Sequence, residues 1–200
     1  MRLILATKNA HKLHEIAAAL QGSGLEVVGL DGVPGVPEDI PETGDTMEEN
    51  ALQKARFVHA LTGEPVLADD SGIEIRALGW APGVHSKRWT PEGTDEANNQ
   101  RLLDELSDKA DRVGRYRCAL AVVAPAPEGP VEGHVDGTCW GVIGTAPLGT
   151  GGFGYDPYFW PDDRPGLTMA QLSMAEKNAI SHRGRALTKL PALLARLGLI

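Results

Sequence analysis

Pro65-Val66-Leu67-Ala68-Asp69-Asp70-Ser71-Gly72-Ile73-Glu74-Ile75 is the stretch on which the fold turns. Residues 65–68 form an apolar run of the kind that fills a buried strand, while the two carboxylates, hydroxyl and glycine that follow have turn composition. The stretch therefore reads as a strand over 66–68 that opens at Asp69-Asp70-Ser71-Gly72 onto a binding crevice, with a short strand over 73–75 beyond the turn. A strand end is a natural place for chemistry. Successive strand side chains point to opposite faces, so Asp69 and Asp70 cannot both enter one site. One is expected to work and the other to support the turn. An ordinary turn has the same composition, and the surrounding sequence must decide.

Outward from this stretch, residues 3–6 are apolar, Thr7-Lys8-Asn9 is turn-like, and Leu13, Ile16, Ala17 and Leu20 recur at helical spacing, which gives strand, turn and helix. Residues 25–28 suggest a second strand, followed by a long loop over 29–45 rich in Gly, Pro and Asp. Thr46-Met47-Glu48-Glu49 is a capping box that starts a helix from about 47 to 62, with Met47, Ala51, Ala55, Val58 and Leu61 on one face. Residues 96–106 form another amphipathic helix. Two β-rich runs, 115–124 and 131–142, flank a proline-rich turn and read as a long hairpin. The tail over 175–199 is helical, with a bend at Pro191. These elements predict one α/β domain over 1–200: a mixed, partly antiparallel twisted sheet with flanking helices, in two lobes around a central cleft.

The chain has 200 residues, 42% of them hydrophobic and 23% charged, enough apolar material for a sizeable core. Its apolar start is too short for a signal peptide and no stretch reaches membrane-spanning length, so a cytoplasmic protein with no membrane partner is expected. A net charge of -8 opposes sequence-blind binding to nucleic acid, which relies on many Lys and Arg contacts to phosphate. The distribution is uneven. No Lys or Arg lies between Lys12 and Lys54, an interval holding Glu26, Asp31, Glu38, Asp39, Glu42, Asp45, Glu48 and Glu49; after Asp163, by contrast, Arg164, Lys177, Arg183, Arg185, Lys189 and Arg196 face only Glu176. Such segments can be solvated surfaces that attract each other, or can hold a divalent metal and a polyphosphate between them. Cys118 and Cys139 flank the hairpin turn and are expected as buried free thiols, with a disulfide the weaker alternative.

Four groups carry chemistry. Thr7-Lys8-Asn9-Ala10-His11-Lys12 sits at a strand-to-helix junction, where helix amides and Lys12 suit an anion, or where Thr7 or Asn9 simply caps the helix. Gly149-Thr150-Gly151-Gly152-Phe153-Gly154 matches G-x-G-x-x-G literally, but Tyr155-Asp156-Pro157 follows in place of an apolar helix, so a dinucleotide fold is not indicated. A glycine loop presenting Phe153 or Tyr155 as a stacking face, with Asp156 as an acceptor for a ligand hydroxyl, suits it better. Lys177 and Ser181 share a helix face; His182-Arg183-Gly184-Arg185 can bend at the glycine; and Lys177 and Arg183 offer donors to a carbonyl-bearing ring or a phosphate. Asn50 and Lys54 share one face of the capped helix, near Glu42. An oxygen-rich ligand with a hard cation is the common theme.

Taken together, Thr7-x-Asn9-x-x-Lys12, Glu49-Asn50-Ala51-x-x-Lys54-Ala55, Asp69-Asp70-Ser71-Gly72, residues 151–157 and Ser181-His182-Arg183-Gly184 closely resemble the inosine/xanthosine triphosphate pyrophosphatase family, in order and over nearly the whole chain. The resemblance implies a two-lobed mixed-sheet fold, a homodimer, Mg2+ dependence, and hydrolysis of deaminated purine nucleoside triphosphates (ITP, dITP, XTP) to monophosphate and pyrophosphate. By position, Asp70 resembles the catalytic base and a metal ligand, with Glu42 the other metal carboxylate. Thr7, Lys8, Asn9, Ala10, His11 and Lys12, helped by Lys54, would hold phosphates. Ser71, Phe153, Gly154, Tyr155, Asp156, Lys177, His182 and Arg183 would line the nucleoside pocket. Trp89 stands where Tyr is expected, at a position with no assigned role. A pyrophosphatase acting on pyrimidine triphosphates and a nucleotide sensor without chemistry are the competing readings.

Overall fold

The computed structural model describes residues 1–37 and 40–200; Glu38 and Asp39, part of the acidic interval, lie outside the described residues. The strands are β1 (Arg2–Leu5), β2 (Glu26–Gly29), β3 (Val66–Ile75), β4 (Val113–Ala124), β5 (Val131–Ile143) and β6 (Phe159–Pro161). The helices are α1 (Ala10–Ala19), α2 (Met47–Thr62), α3 (Asp95–Glu105), α4 (Met174–Ile180) and α5 (His182–Arg196). One sheet of order β2-β1-β3-β4-β5-β6 joins the strands, parallel across its first three and antiparallel from β3 onward.

Strand alternation divides the core. Leu3, Leu5 and Leu67 face one layer with Ile16 of α1 and Leu187, Leu190 and Leu194 of α5; Ile4, Val66 and Ala68 face the other with Ala51, Ala55 and Val58 of α2. A third cluster lies under the far half of the hairpin, where Ile73, Tyr116, Cys139 and Phe159 meet Leu102 of α3. The expected two lobes correspond to the layered half and this hairpin half. The capping box at Thr46 and Glu49 and the boundaries of α2 are as expected, and Gly63 closes the helix in the left-handed region at φ 68°.

Three points differ from the sequence expectation. Asp69-Asp70-Ser71-Gly72 is not a turn: β3 continues through it, paired with β4 in unbroken register from Val66↔Val123 to Ile75↔Gly114. The crevice opens because β1 stops, its pairing with β3 ending at Leu5↔Leu67, which leaves one edge of Asp69 and Asp70 without a neighbouring strand. Second, the tail is not one helical run: it breaks at Ser181 into α4 and α5, and α5 continues through Gly184 and Pro191. Ser181 is extended (φ -67°, ψ 157°) and accepts from the Gly184 amide at 3.1 Å, restarting the chain as α5, inside which Pro191 lies. Third, β6 has no forerunner in the sequence reading. Both cysteines are buried and free; Cys118 lies opposite Gly137 and Cys139 opposite Tyr116, and burial lifts the Cys139 thiol to about 12.

Gly72 is required by packing, since a Cβ there would collide with the Gly83 carbonyl oxygen and come within 3.0 Å of the Met47 methyl. Gly72→Ala is therefore expected to destabilise the fold by about 2–3 kcal/mol, the cost of overpacking a closed core. Urea unfolding monitored by circular dichroism checks this, and an unchanged midpoint would contradict it.

Candidate active site

Past the end of β1, the two carboxylates of β3 part to opposite faces, as alternation requires. On the α1 and α5 side, Asp69 is fully buried and receives the Lys12 ammonium, Arg183 Nε at 3.2 Å and the Cys118 thiol at 2.9 Å. Burial alone would raise its carboxyl, but Arg183 and Lys12 outweigh that and hold it well below the usual carboxylate range. Asp69 thus anchors a charge network and supports no turn. On the α2 side, Asp70 receives Asn50 Nδ2 at 3.1 Å and stands 3.7 Å from Lys54 Nζ. Here burial wins: the Asp70 carboxyl is pushed up, with Glu42 and Asp69 adding like charge against the pull of Lys54 and Lys12.

Lys54 links this carboxylate to the long loop. Its ammonium bonds Glu42 and donates to the Asp69 carbonyl at 2.8 Å, while Arg88 Nη1 reaches Glu42 at 2.9 Å. Burial would raise the Glu42 carboxyl as well, but the Lys54 and Arg88 contacts bring it below its ordinary value. Asn50 adds a second tie, its Oδ1 accepting from the Gly44 amide at 2.8 Å. Glu42 and Asp70 therefore flank one shared cation. Among the described residues no three His, Cys, Asp or Glu side chains cluster as a metal cage. Two neighbouring carboxylates that share the Lys54 ammonium, with Arg88 on the outer side of Glu42, fit a hard divalent ion that takes its remaining oxygens from phosphate and water, as Mg2+ does.

At the α1 junction Asn9 is the cap: its Oδ1 accepts from the His11 amide at 3.0 Å and the Lys12 amide at 3.2 Å. Those two amides are thereby occupied, so positive charge at this corner comes from the side chains of Lys8 and Lys12, the latter paired with Asp69. On the opposite wall the Phe153 ring stacks on His11 with centroids 5.1 Å apart and lies 4.8 Å from Lys177 Nζ. Tyr155 is buried and donates its hydroxyl to the Ser86 carbonyl at 2.6 Å, so Phe153, half-buried and faced by His11, is the ring better placed to offer a face to a ligand. The Asp156 carboxylate receives Lys177 Nζ at 2.6 Å, the Phe153 amide at 2.9 Å and the Tyr116 hydroxyl at 3.2 Å, which makes it the internal brace of the glycine loop.

Lys177 and Arg183 are not unpartnered donors. Both bind Glu15 of α1, Lys177 at 2.7 Å, and Arg183 also donates to Ser71 Oγ at 2.9 Å. Glu15 is 2% exposed and was missed from the sequence, where it looks like one more polar residue beside Ile16. His182 stacks on Tyr116 at 4.7 Å, and its Nδ1 has no partner among the described residues. Burial, reinforced by the Arg183 charge, holds the ring neutral by pulling its pKa well down. A cavity of about 630 Å³ runs between these walls, and of the catalytic, substrate and metal candidates all but Ala10 border it. Asp69, Glu15 and Asn50 stand behind its lining. It offers, side by side, a carboxylate pair suited to a cation, a cationic corner, and an aromatic face backed by fixed charges.

Comparison with known proteins agrees with this architecture. The Ham1 family model matches residues 3–193. A dITP/XTP pyrophosphatase of Symbiobacterium thermophilum is 51% identical, with 96% of each chain covered. A HAM1 protein structure from Coxiella burnetii superposes with a TM-score of 0.85 at 39% identity, covering 98% of this chain and 99% of that one. The crystal structure of a nucleoside-triphosphatase / dITP/XTP pyrophosphatase from Mycobacterium abscessus gives a TM-score of 0.74 at 46% identity, covering 95% and 98%.

Proposed function

The chain belongs to the Ham1 family, and from that premise we propose that it hydrolyses deaminated purine nucleoside triphosphates (ITP, dITP and XTP) to the monophosphate and pyrophosphate. The observation that carries the reading is the placement of Asp70 and Glu42 around the Lys54 ammonium, in a cavity that the Phe153 ring also lines.

Asp70 is the group that orients a water toward the α-phosphorus and takes its proton, a role that a carboxyl raised by burial performs better than an ordinary aspartate. Asp70 and Glu42 would hold Mg2+, which when bound supplies charge neutralisation to the triphosphate. Lys12 and Lys54 move from carboxylate partners onto phosphate oxygens, offsetting charge on the departing pyrophosphate. Thr7, Lys8, Asn9, Ala10 and His11 form the corner that receives the phosphates. Phe153 stacks on the base, and Ser71, Gly154, Tyr155, Asp156, Lys177, His182 and Arg183 enclose the nucleoside. A donor turned toward the base from Lys177, His182 or Arg183 would favour hypoxanthine and xanthine, which carry a C6 carbonyl, over adenine, which carries an amino group there. The reading also includes Mg2+ dependence, a homodimer and action in the cytoplasm.

Pyrophosphate release from ITP and ATP, with and without Mg2+, tests it. ITP is expected to be cleaved only with the metal, activity lost to EDTA should return on adding Mg2+, and ATP should be slower by about 10^2-fold or more. Equal cleavage of the two nucleotides would overturn the base pocket. Tight ITP binding without any release would favour a sensor.

A further inference from the structure

The Phe153 platform is held on one side by Asp156 and Lys177, within the glycine loop and the helix it packs on. Its other side is held by a helix that the sequence reading gave no function. Gly154, the residue after Phe153, has its amide bonded by Asp95 Oδ2 at 2.7 Å and its carbonyl bonded by Asn99 Nδ2 at 2.9 Å. Asp95 and Asn99 are four apart on α3 and so share one helix face. Gly152 and Gly154 both sit in the left-handed region, at φ 71° and 63°. A loop with two such residues has many accessible conformations once its ties are cut. Asp95 is itself fixed, with Thr94 capping the helix at the Ala97 amide and Lys87 Nζ 2.9 Å from Asp95 Oδ1.

We propose that Asp95 and Asn99 are positioning residues for the nucleobase: by clipping both backbone polar groups of Gly154 to α3, they set the pitch of the Phe153 ring across the cavity. The proposal rests on the reading of Phe153 as a base platform. The two clips act on the two peptide groups that flank one residue, Gly154, so they work as a unit, and losing the first removes most of the benefit of the second. They touch neither Asp70 nor Glu42. Their contribution is made equally in bound substrate and transition state, which places it in KM and not in kcat.

Steady-state kinetics on ITP, together with hydrogen exchange of the Gly154 amide in nucleotide-free protein, test this with Asp95→Ala, Asp95→Asn, Asn99→Ala, the double Ala variant, and Phe153→Ala as reference. Asp95→Ala is expected to raise KM about tenfold with kcat within about twofold, and to speed Gly154 exchange at least about tenfold. Asp95→Asn keeps a carbonyl that accepts from the Gly154 amide, and should recover most of both. Asn99→Ala should give a smaller rise, and the double variant should be no worse than Phe153→Ala. Unchanged KM in both single Ala variants beside a raised KM in Phe153→Ala overturns the inference alone, as does an Asp95→Asn variant no better than Asp95→Ala, because charge and not the clip would then be at work. Wild-type protein that fails to cleave ITP overturns the platform reading instead. Exchange then decides the clip by itself, with faster Gly154 exchange in Asp95→Ala supporting it and unchanged exchange overturning it.

Discussion

Asp70→Asn is expected to lower kcat for ITP by at least about 10^3-fold while leaving nucleotide binding within severalfold, since a positioned general base contributes roughly 10^2 to 10^4 and this one is also a proposed metal ligand. The same substitution should not weaken the fold. Burial raises the Asp70 carboxyl above its unfolded value, so its ionisation costs folding free energy at neutral pH, a cost absent once the pH falls below the unfolded pKa. Asparagine removes the charge, and its amide oxygen still accepts from Asn50 Nδ2, now 3.1 Å from the carboxylate. An inactive variant whose urea midpoint equals or exceeds that of wild type is the predicted signature of a group kept for chemistry at the expense of stability. Turnover near normal would remove Asp70 from its role; lost turnover with a collapsed midpoint would make it a structural residue.

The contrast between Asp70 and Asp69 also shows where sequence stops being informative. Alternation along a strand put the two carboxylates on opposite faces, and that holds. What no local rule supplied was that a strand can run straight through Asp-Asp-Ser-Gly, because the charges are balanced by Lys12, Lys54 and Arg183, whose positions are distant along the chain and meet only in the fold. Local composition voted for a turn and tertiary ion pairing overrode it. By the same logic α2 was legible to the residue, since its capping box and closing Gly63 are local signals. The break at Ser181 was not, because a serine cap with no acidic residue three positions on is a weak mark inside an apolar helical pattern. Glu15, Asp95 and Asn99 escaped notice for a related reason: each serves another segment, as counterion to Lys177 and Arg183 or as a clip on Gly154, and nothing in its own neighbourhood announces that duty. Catalytic candidates surfaced through motif; Glu15, Asp95 and Asn99 surfaced only through contact.

Those supports are where the second large effect lies. Arg183 is 1% exposed and carries the Asp69 and Glu15 carboxylates at once, with burial working against its charge and the two acids more than restoring it. Replacing it by Met keeps most of the apolar stem and removes the charge, leaving Asp69 to Lys12 alone and Glu15 to Lys177, which is already shared with Asp156. Breaking a buried pair from one side leaves an uncompensated charge in a poor solvent, and typically costs about 3–5 kcal/mol. Arg183→Met is expected to lose that much by urea unfolding, whereas Arg56→Met, which breaks the exposed Arg56–Glu132 pair, should lose under about 1 kcal/mol. The sign matters as much as the size: charge removal at Asp70 leaves the fold no weaker, and charge removal at Arg183 breaks it, although both residues border one cavity. A loss under about 1 kcal/mol at Arg183 would mean that Lys12 and Lys177 suffice for the two carboxylates, and that the guanidinium is held in place for substrate alone.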